Sequence, residues 1–291
     1  MMTHSNILEN VAMLVRLNIT RFGGEKIDTI ASEDICKKNN AESDSGKFIK
    51  KLFKDNQALK DTKKIASKAR HVSDSMTLPY MTGQKLLAVG MYEKHGQALA
   101  DLKQDFEMAR DVFISDIKKD QERQKIKLGS LYNESDYPNV EDIREKFTFT
   151  VQYETIADCQ KFDTMGLGKL INDAVEIQNK RIDNAVMDMF KRIEKYLGNF
   201  AERTKNYKPK TENSRVQNEF RDTLISNLRE LVENLPVMNI TNNPKINELC
   251  DDIKGLIKGL DLETLRGDED VRKDVSKKAD DILAKMGGYC G

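Results

Sequence analysis

The longest regular pattern in the chain runs over residues 166–206. Apolar side chains fall at Leu167, Ile171 and Ala174, then at Ile182, Ala185, Met189, Ile193, Tyr196 and Phe200, with Gln178 in one seam position. Steps of three and four keep a single stripe on one side of a helix. Such a rod would be roughly 60 Å long, more than a compact core can cover, so it calls for a second long helix. Residues 92–126 supply one, with Tyr92, His95, Leu99, Leu102, Phe106, Ala109, Phe113 and Ile117 in the same steps. The two predict a long antiparallel, coiled-coil-like spine.

Two stretches have a period of two instead. In 11–22, Met13, Val15, Leu17 and Ile19 share a side until Gly23-Gly24 stops the run; in 147–153, Phe147, Phe149, Val151 and Tyr153 alternate with Thr148, Thr150 and Gln152. Both read as strands, and their unpaired backbones predict that they pair with each other. Between them, 26–45 reads as a polar loop with a short helix near 32–38. A helix, continuous or with one break, is predicted over 46–75, its inner face made by Phe48, Ile49, Leu52, Phe53, Leu59, Ile65, Ala66 and Ala69. Leu78-Pro79-Tyr80 and Gly83 predict a turn. Residues 86–91 read as either extended chain or a short helix, and Asn139 caps a helical turn over 140–145.

Past a linker at Tyr207-Lys208-Pro209, three shorter amphipathic helices follow. The first carries Phe220, Leu224, Leu228, Leu231 and Leu235 and is ended by Pro236. The second opens on Pro244 and carries Ile246, Leu249, Ile253, Leu256 and Leu260. The third starts near Asp268 and stops at Gly287-Gly288. The predicted fold class is therefore mainly α with a small antiparallel β element, a long helical spine and a C-terminal helical bundle. Its expected divisions are a strand-closed unit over 1–165, the second rod over 166–208 and a three-helix segment over 209–291.

Composition narrows the function classes. With 48 basic and 48 acidic residues in 291, net charge gives no pull toward nucleic acid or an anionic membrane. Cys36, Cys159, Cys250 and Cys290 are far apart and form no C-x-x-C, which reads as reduced thiols in a cytoplasmic protein. The longest apolar run, 86–92, is far short of a membrane span, and the first run has no basic flank of the kind a signal peptide needs.

Most motifs fail on spacing. Gly166-Leu167-Gly168-Lys169 resembles the end of a phosphate loop, but Asp163 and Leu170 stand where a Gly and a Ser or Thr are needed. Asp268-Glu269-Asp270 lacks the Gly and terminal Glu of a calcium loop, and acids in a first helical turn explain it. The three histidines, His4, His71 and His95, lie on separate elements, and His95 sits on a seam as a core imidazole. Catalytic, cofactor and metal sites are therefore not expected, and the chain reads as a non-enzyme.

One charge asymmetry remains. Residues 46–75 hold nine Lys or Arg against three Asp, and Lys60, Lys64 and Lys68 fall four apart on one stripe. Such a stripe can neutralise phosphates. A neutral chain and a face without aromatic residues rank that nucleic-acid reading second. First comes protein–protein interaction, because long amphipathic rods make surfaces and spacers more readily than pockets.

Several short motifs come in a recognisable order: Leu17-Asn18-Ile19-Thr20-Arg21-Phe22-Gly23-Gly24, then Leu78-Pro79-Tyr80 with Gly83, then Leu128-Gly129-Ser130-Leu131-Tyr132, Asp136-Tyr137-Pro138 and the 147–153 strand. Over residues 11–156 this resembles a family of phage and prophage proteins known as a domain of unknown function. Phe22 stands where most members of that family have Trp. Its members are often encoded beside an AAA+ ATPase of the cobalt-chelatase or MoxR type. The resemblance implies a phage source and an AAA+ ATPase as neighbour, and it carries no catalytic residue or cofactor. An adaptor or partner of that ATPase, a component of a larger assembly and a homo-oligomer are the expected forms of the protein–protein reading.

Overall fold

The structure, a computed structural model, describes residues 5–156, 168–209, 221 and 223–287. In chain order its elements are α1 (Ser5–Val11), β1 (Ala12–Thr20), β2 (Glu25–Asp28), α2 (Thr29–Lys38), β3 (Phe48–Lys51), α3 (Gln57–Met76), β4 (Leu78–Met81), β5 (Gln84–Ala88) and α4 (Tyr92–Leu128). Then come α5 (Val140–Glu145), β6 (Thr148–Glu154), α6 (Gly168–Asn206), α7 (Thr223–Met238), α8 (Pro244–Ile257), α9 (Leu262–Gly267) and α10 (Glu269–Gly287). The fold is mainly α, with two long helices, a small antiparallel sheet and a C-terminal helical cluster, as the periodicity predicts.

The two period-two runs are strands and neighbours, in a four-stranded sheet of order β4-β5-β1-β6. Thr20 Oγ1 meets Thr148 Oγ1 at 2.8 Å, and Thr150 Oγ1 donates to the Asn18 carbonyl at 3.4 Å. Those residues count in opposite directions, so β1 and β6 run antiparallel. The other side of β1 pairs with β5, Ala12 opposite Ala88 and Val15 opposite Lys85. β4 and β5 form a hairpin through Gly83, whose φ of +79° suits glycine. Sequence predicts the turn and leaves 86–91 as extended chain or a short helix. The structure takes both, with β5 to Ala88 and a 3-10 turn over Val89–Met91, and β4 is additional.

Three further departures have local causes. The helix predicted over 46–75 begins only at Gln57. Phe48–Lys51 is instead a strand paired with Glu25–Asp28 in a separate two-stranded sheet, where a loop is predicted. Asn56 sets the helix start: its Oδ1 accepts from Leu59 N at 2.7 Å, the cap geometry of an N-terminus, and its Nδ2 donates to Asp120. Pro236 does not end α7, which runs to Met238 with the proline in its last turn. A short extra helix, α9, is capped by Asp261, whose Oδ1 accepts from Thr264 N at 2.7 Å.

The chain forms two compact units, each assembled from separated segments: residues 1–16, 73–95 and 152–291 make one, and 17–72 with 96–151 make the other. In the first, the α6 stripe buries Ile182, Ala185, Met189, Ile193 and Phe200 and packs against α10, β4 and α7. Arg192 of α6 donates to the carbonyls of Asp74, Ser75 and Thr77, at 2.9, 3.3 and 2.6 Å. It thereby satisfies acceptors that the end of α3 leaves open.

The second unit is built around aromatic rings. Phe22, Phe53 and Phe113 pack edge-on or stacked at centroid distances of 5.9, 6.2 and 5.2 Å, and Phe106 meets Phe147 and Phe149 at 6.0 and 5.7 Å. Leu99, Leu102, Phe106, Phe113 and Ile117 of α4 join the same cluster, with Leu59, Ala66 and Ala69 of α3. The α6 stripe thus finds cover within the first unit, and the α4 stripe from Leu99 onward within the second. Among the described residues no helix is long and apolar enough to cross a membrane.

Candidate functional site

The two-stranded β2–β3 ribbon has faces of opposite character. Its register sets Glu25 opposite Lys51, Lys26 opposite Lys50 and Ile27 opposite Ile49. Since side chains alternate along a strand, Lys26 and Lys50 share one face, and Glu25, Ile27, Ile49 and Lys51 the other. On the inner face Lys50 is only 5% exposed, and its Nζ holds Asp28 at 2.9 Å, contacts Asp136 and donates to the Leu131 carbonyl at 3.2 Å. Lys26 adds a second ion pair to Asp136 at 2.9 Å. Burial pushes the Asp136 carboxyl up, but hydrogen bonds and charge from Lys50 and Lys26 overcome it, leaving the group below the ordinary carboxylate range. Burial likewise pushes Lys50 down, and its two carboxylates more than restore it. This face is a closed clamp.

The outer face opens at its Glu25–Lys51 end into a groove of about 350 Å³. Arg21, Gly23 and Gly24 line it from the loop after β1, Lys51, Phe53 and Lys54 from the end of β3, and Leu59, Lys60 and Lys63 from the first turns of α3. Gly24 is required at the junction. Its φ is +69°, and a Cβ there would sit 2.7 Å from the Leu59 Cδ2 methyl. The close approach also lets Leu52 N donate to the Gly24 carbonyl at 2.8 Å, which carries the ribbon into the groove wall. Five cationic side chains therefore face one carboxylate, Glu25. Among the described residues none of the five forms an ion pair. Arg21 donates to the Phe22 carbonyl at 3.3 Å, and Asp55, bonded to Lys127, feels the charges of Lys60 and Lys54. The α3 N-terminus adds its positive dipole end.

The residues singled out by the helical stripe are dispersed. Lys60 lines the groove, Lys64 is paired with Asp61 at 3.0 Å, and Lys68 is exposed outside the groove lining. Lys63, one turn from Lys60, takes the place that a four-residue spacing assigns to Lys64. Arg21 lies outside the predicted helix, and Lys51 and Lys54, counted in its basic bias, belong to the end of β3 and the turn after it rather than to a helical stripe. Gly23-Gly24, followed by a cluster of lysines around the Asn56 cap, is the sequence signal that marks them.

Elsewhere, several polar groups are committed to the fold. In the first unit His95 is fully buried; Nε2 lies 3.0 Å from Ser73 Oγ and Nδ1 2.9 Å from Tyr153 OH. Burial lowers its pKa to about 4, so the ring is neutral near pH 7. Ser73 is 3% exposed, and neither residue offers an atom to a substrate. A larger cleft of about 640 Å³, lined in part by Lys205, Lys208, Arg272 and Lys277, includes Glu269 and Asp280. There Arg272 is stacked over Tyr207 at 5.0 Å and donates to the Leu265 and Arg266 carbonyls, while Lys273 pairs with Glu269. Cys36 and Cys250 are buried thiols; Cys159, Cys290 and the Gly166–Leu167 part of the glycine motif lie outside the described residues. Among the described residues no cluster of three or more His, Cys, Asp and Glu could hold a metal ion.

No protein-family model, curated protein or solved structure matches the chain.

Proposed function

We propose that the protein is a non-enzymatic nucleic-acid-binding protein whose binding site is the groove of the second unit. One observation carries this reading: Arg21, Lys51, Lys54, Lys60 and Lys63 converge from three elements on one groove with a single carboxylate in its lining. Elsewhere lysines such as Lys26, Lys50, Lys85 and Lys127 have carboxylate partners. Unpaired cations held close together repel one another, and an anion with regularly spaced charges relieves that repulsion while releasing its own counterions. The buried Phe53 leaves no ring for a base to stack on, so the phosphate backbone is the recognised part.

The test is binding of labelled DNA at increasing salt. Lys54→Gln, Lys60→Gln and Lys63→Gln combined should flatten the slope of log affinity against log salt by up to about three units and leave thermal melting unchanged. Salt-independent binding, or an unchanged slope in the triple variant, would remove the proposal.

A second reading is favoured by Ile27, Ile30, Ile35 and Ile49, all exposed around the ribbon and α2. Under it the chain is a phage protein acting through protein–protein contacts, as an adaptor or partner of an AAA+ ATPase or part of a homo-oligomeric, coiled assembly. Co-purification of the native protein with its genetic neighbours tests that reading directly.

A further inference from the structure

We infer that the outer face of the β2–β3 ribbon is a reader of duplex DNA, entering the major groove while the basic groove beside it holds the backbone. The inference rests on the proposed nucleic-acid function and names the form of nucleic acid. Glu25 and Lys51 belong to both surfaces: they line the groove and are cross-strand partners at the end of the ribbon. Two residues further on, alternation places Ile27 and Ile49 on that same face, directly opposite each other and 46% and 48% exposed. At the far end Ser32 accepts from Phe48 N at 2.8 Å, fixing α2 there and leaving the Ile pair uncovered.

Dimensions and chemistry choose the partner. Paired strands lie about 4.8 Å apart, and with their side chains fill a groove about 12 Å wide, the width of the B-DNA major groove. The major groove of A-form RNA is too narrow and deep for such an element. Single strands are held largely by stacking on exposed rings, and here Phe22 and Phe53, the rings nearest the groove, are buried. Branched apolar side chains on the ribbon suit the thymine methyl edge. The flanking cations suit the phosphates on the groove's rim. An acidic peptide could meet the same charges, but the apolar Ile27–Ile49 pair beside them suits a groove that offers thymine methyls.

Binding of the full chain to a short labelled DNA duplex is compared with its single strand, an RNA duplex and polyglutamate. Duplex DNA should bind roughly tenfold tighter than each of the other three. Ile27→Ser with Ile49→Ser should remove most of that preference while leaving the salt slope and the melting temperature in place, and the Val pair at the same positions should restore it. Equal affinity for duplex and single strand, with the slope still flattened by the triple Gln variant, would overturn the ribbon inference and leave the groove reading standing. Tighter binding of polyglutamate than of DNA would overturn both in favour of an acidic protein partner, and absence of salt-dependent DNA binding would likewise end both.

Discussion

Lys50 and Lys51 are consecutive residues of one strand with opposite fates. Lys50 faces inward, meets two carboxylates and a carbonyl, and is almost wholly buried. Lys51 faces outward, forms no ion pair among the described residues and borders the groove. A strand's period of two converts one position of difference into a change of role. The inner lysine stabilises the fold, and the outer one is available to a ligand. Counting charge along the sequence treats the two alike, which is why a neutral chain can still carry a strongly cationic site.

The comparison breaks most visibly in stability. Lys50→Met leaves Asp28 and Asp136 without their shared cation in a closed environment, and should cost about 3 kcal/mol in denaturant unfolding. Lys51→Met should change stability by no more than about 0.5 kcal/mol. The clamp also has a pH signature. The Asp136 carboxyl is held below its ordinary range, so its contribution is present above the unfolded carboxyl pKa and is lost as pH falls through the lower folded value. Equal destabilisation by the two Met variants would show that the ribbon's faces are not distinct.

A buried base without a carboxylate sharpens the contrast. His95 is held neutral by burial among hydroxyl partners, with its pKa lowered from 6.5 to about 4. A lowered histidine contributes stability in full above the unfolded pKa and loses it as pH falls toward the folded one. Stability should therefore drop between pH 6.5 and about 4, by on the order of 3 kcal/mol, as the unfolded chain takes up the proton first. His95→Gln should remove that part of the acid dependence. An unfolding free energy flat across the window in the native protein would contradict a neutral, buried ring.

How much of this was legible follows from the range of each interaction. The long helices and the β1 and β6 strands are written in local periodicity, and so are the Asn139 cap and the Pro244 helix start. The β2–β3 ribbon was not legible, because Lys50 is a charged residue in an inward position and disguises the alternation of Phe48–Lys51. Its partners Asp28 and Asp136 are remote in sequence, and only the folded unit brings them together. The groove was half legible: the basic bias of 46–75 is real, but its geometry depends on where Asn56 starts the helix. A helix begun eleven residues too early, at 46 instead of Gln57, puts the right residue types on one continuous stripe. Arg21 and Gly24, which complete the groove, come from a loop that helical spacing does not address.

The smallest effect separates the stripe from the groove. A stripe of Lys60, Lys64 and Lys68 predicts equal contributions from all three. In the structure Lys64 is neutralised locally by Asp61 at 3.0 Å. Lys68 lies eight residues past Lys60, roughly 12 Å along the helix axis and about 80° around it, away from the groove-lining side. Single Gln variants should therefore differ in kind. Lys60→Gln should reduce the salt slope of DNA binding by about one unit, the share of a single phosphate contact. Lys64→Gln and Lys68→Gln should leave the slope unchanged and the affinity within about twofold, through general loss of positive charge alone. Titrations of the three variants at several salt concentrations measure this. Equal slope losses would place the ligand along the length of α3, with the groove only its first contact.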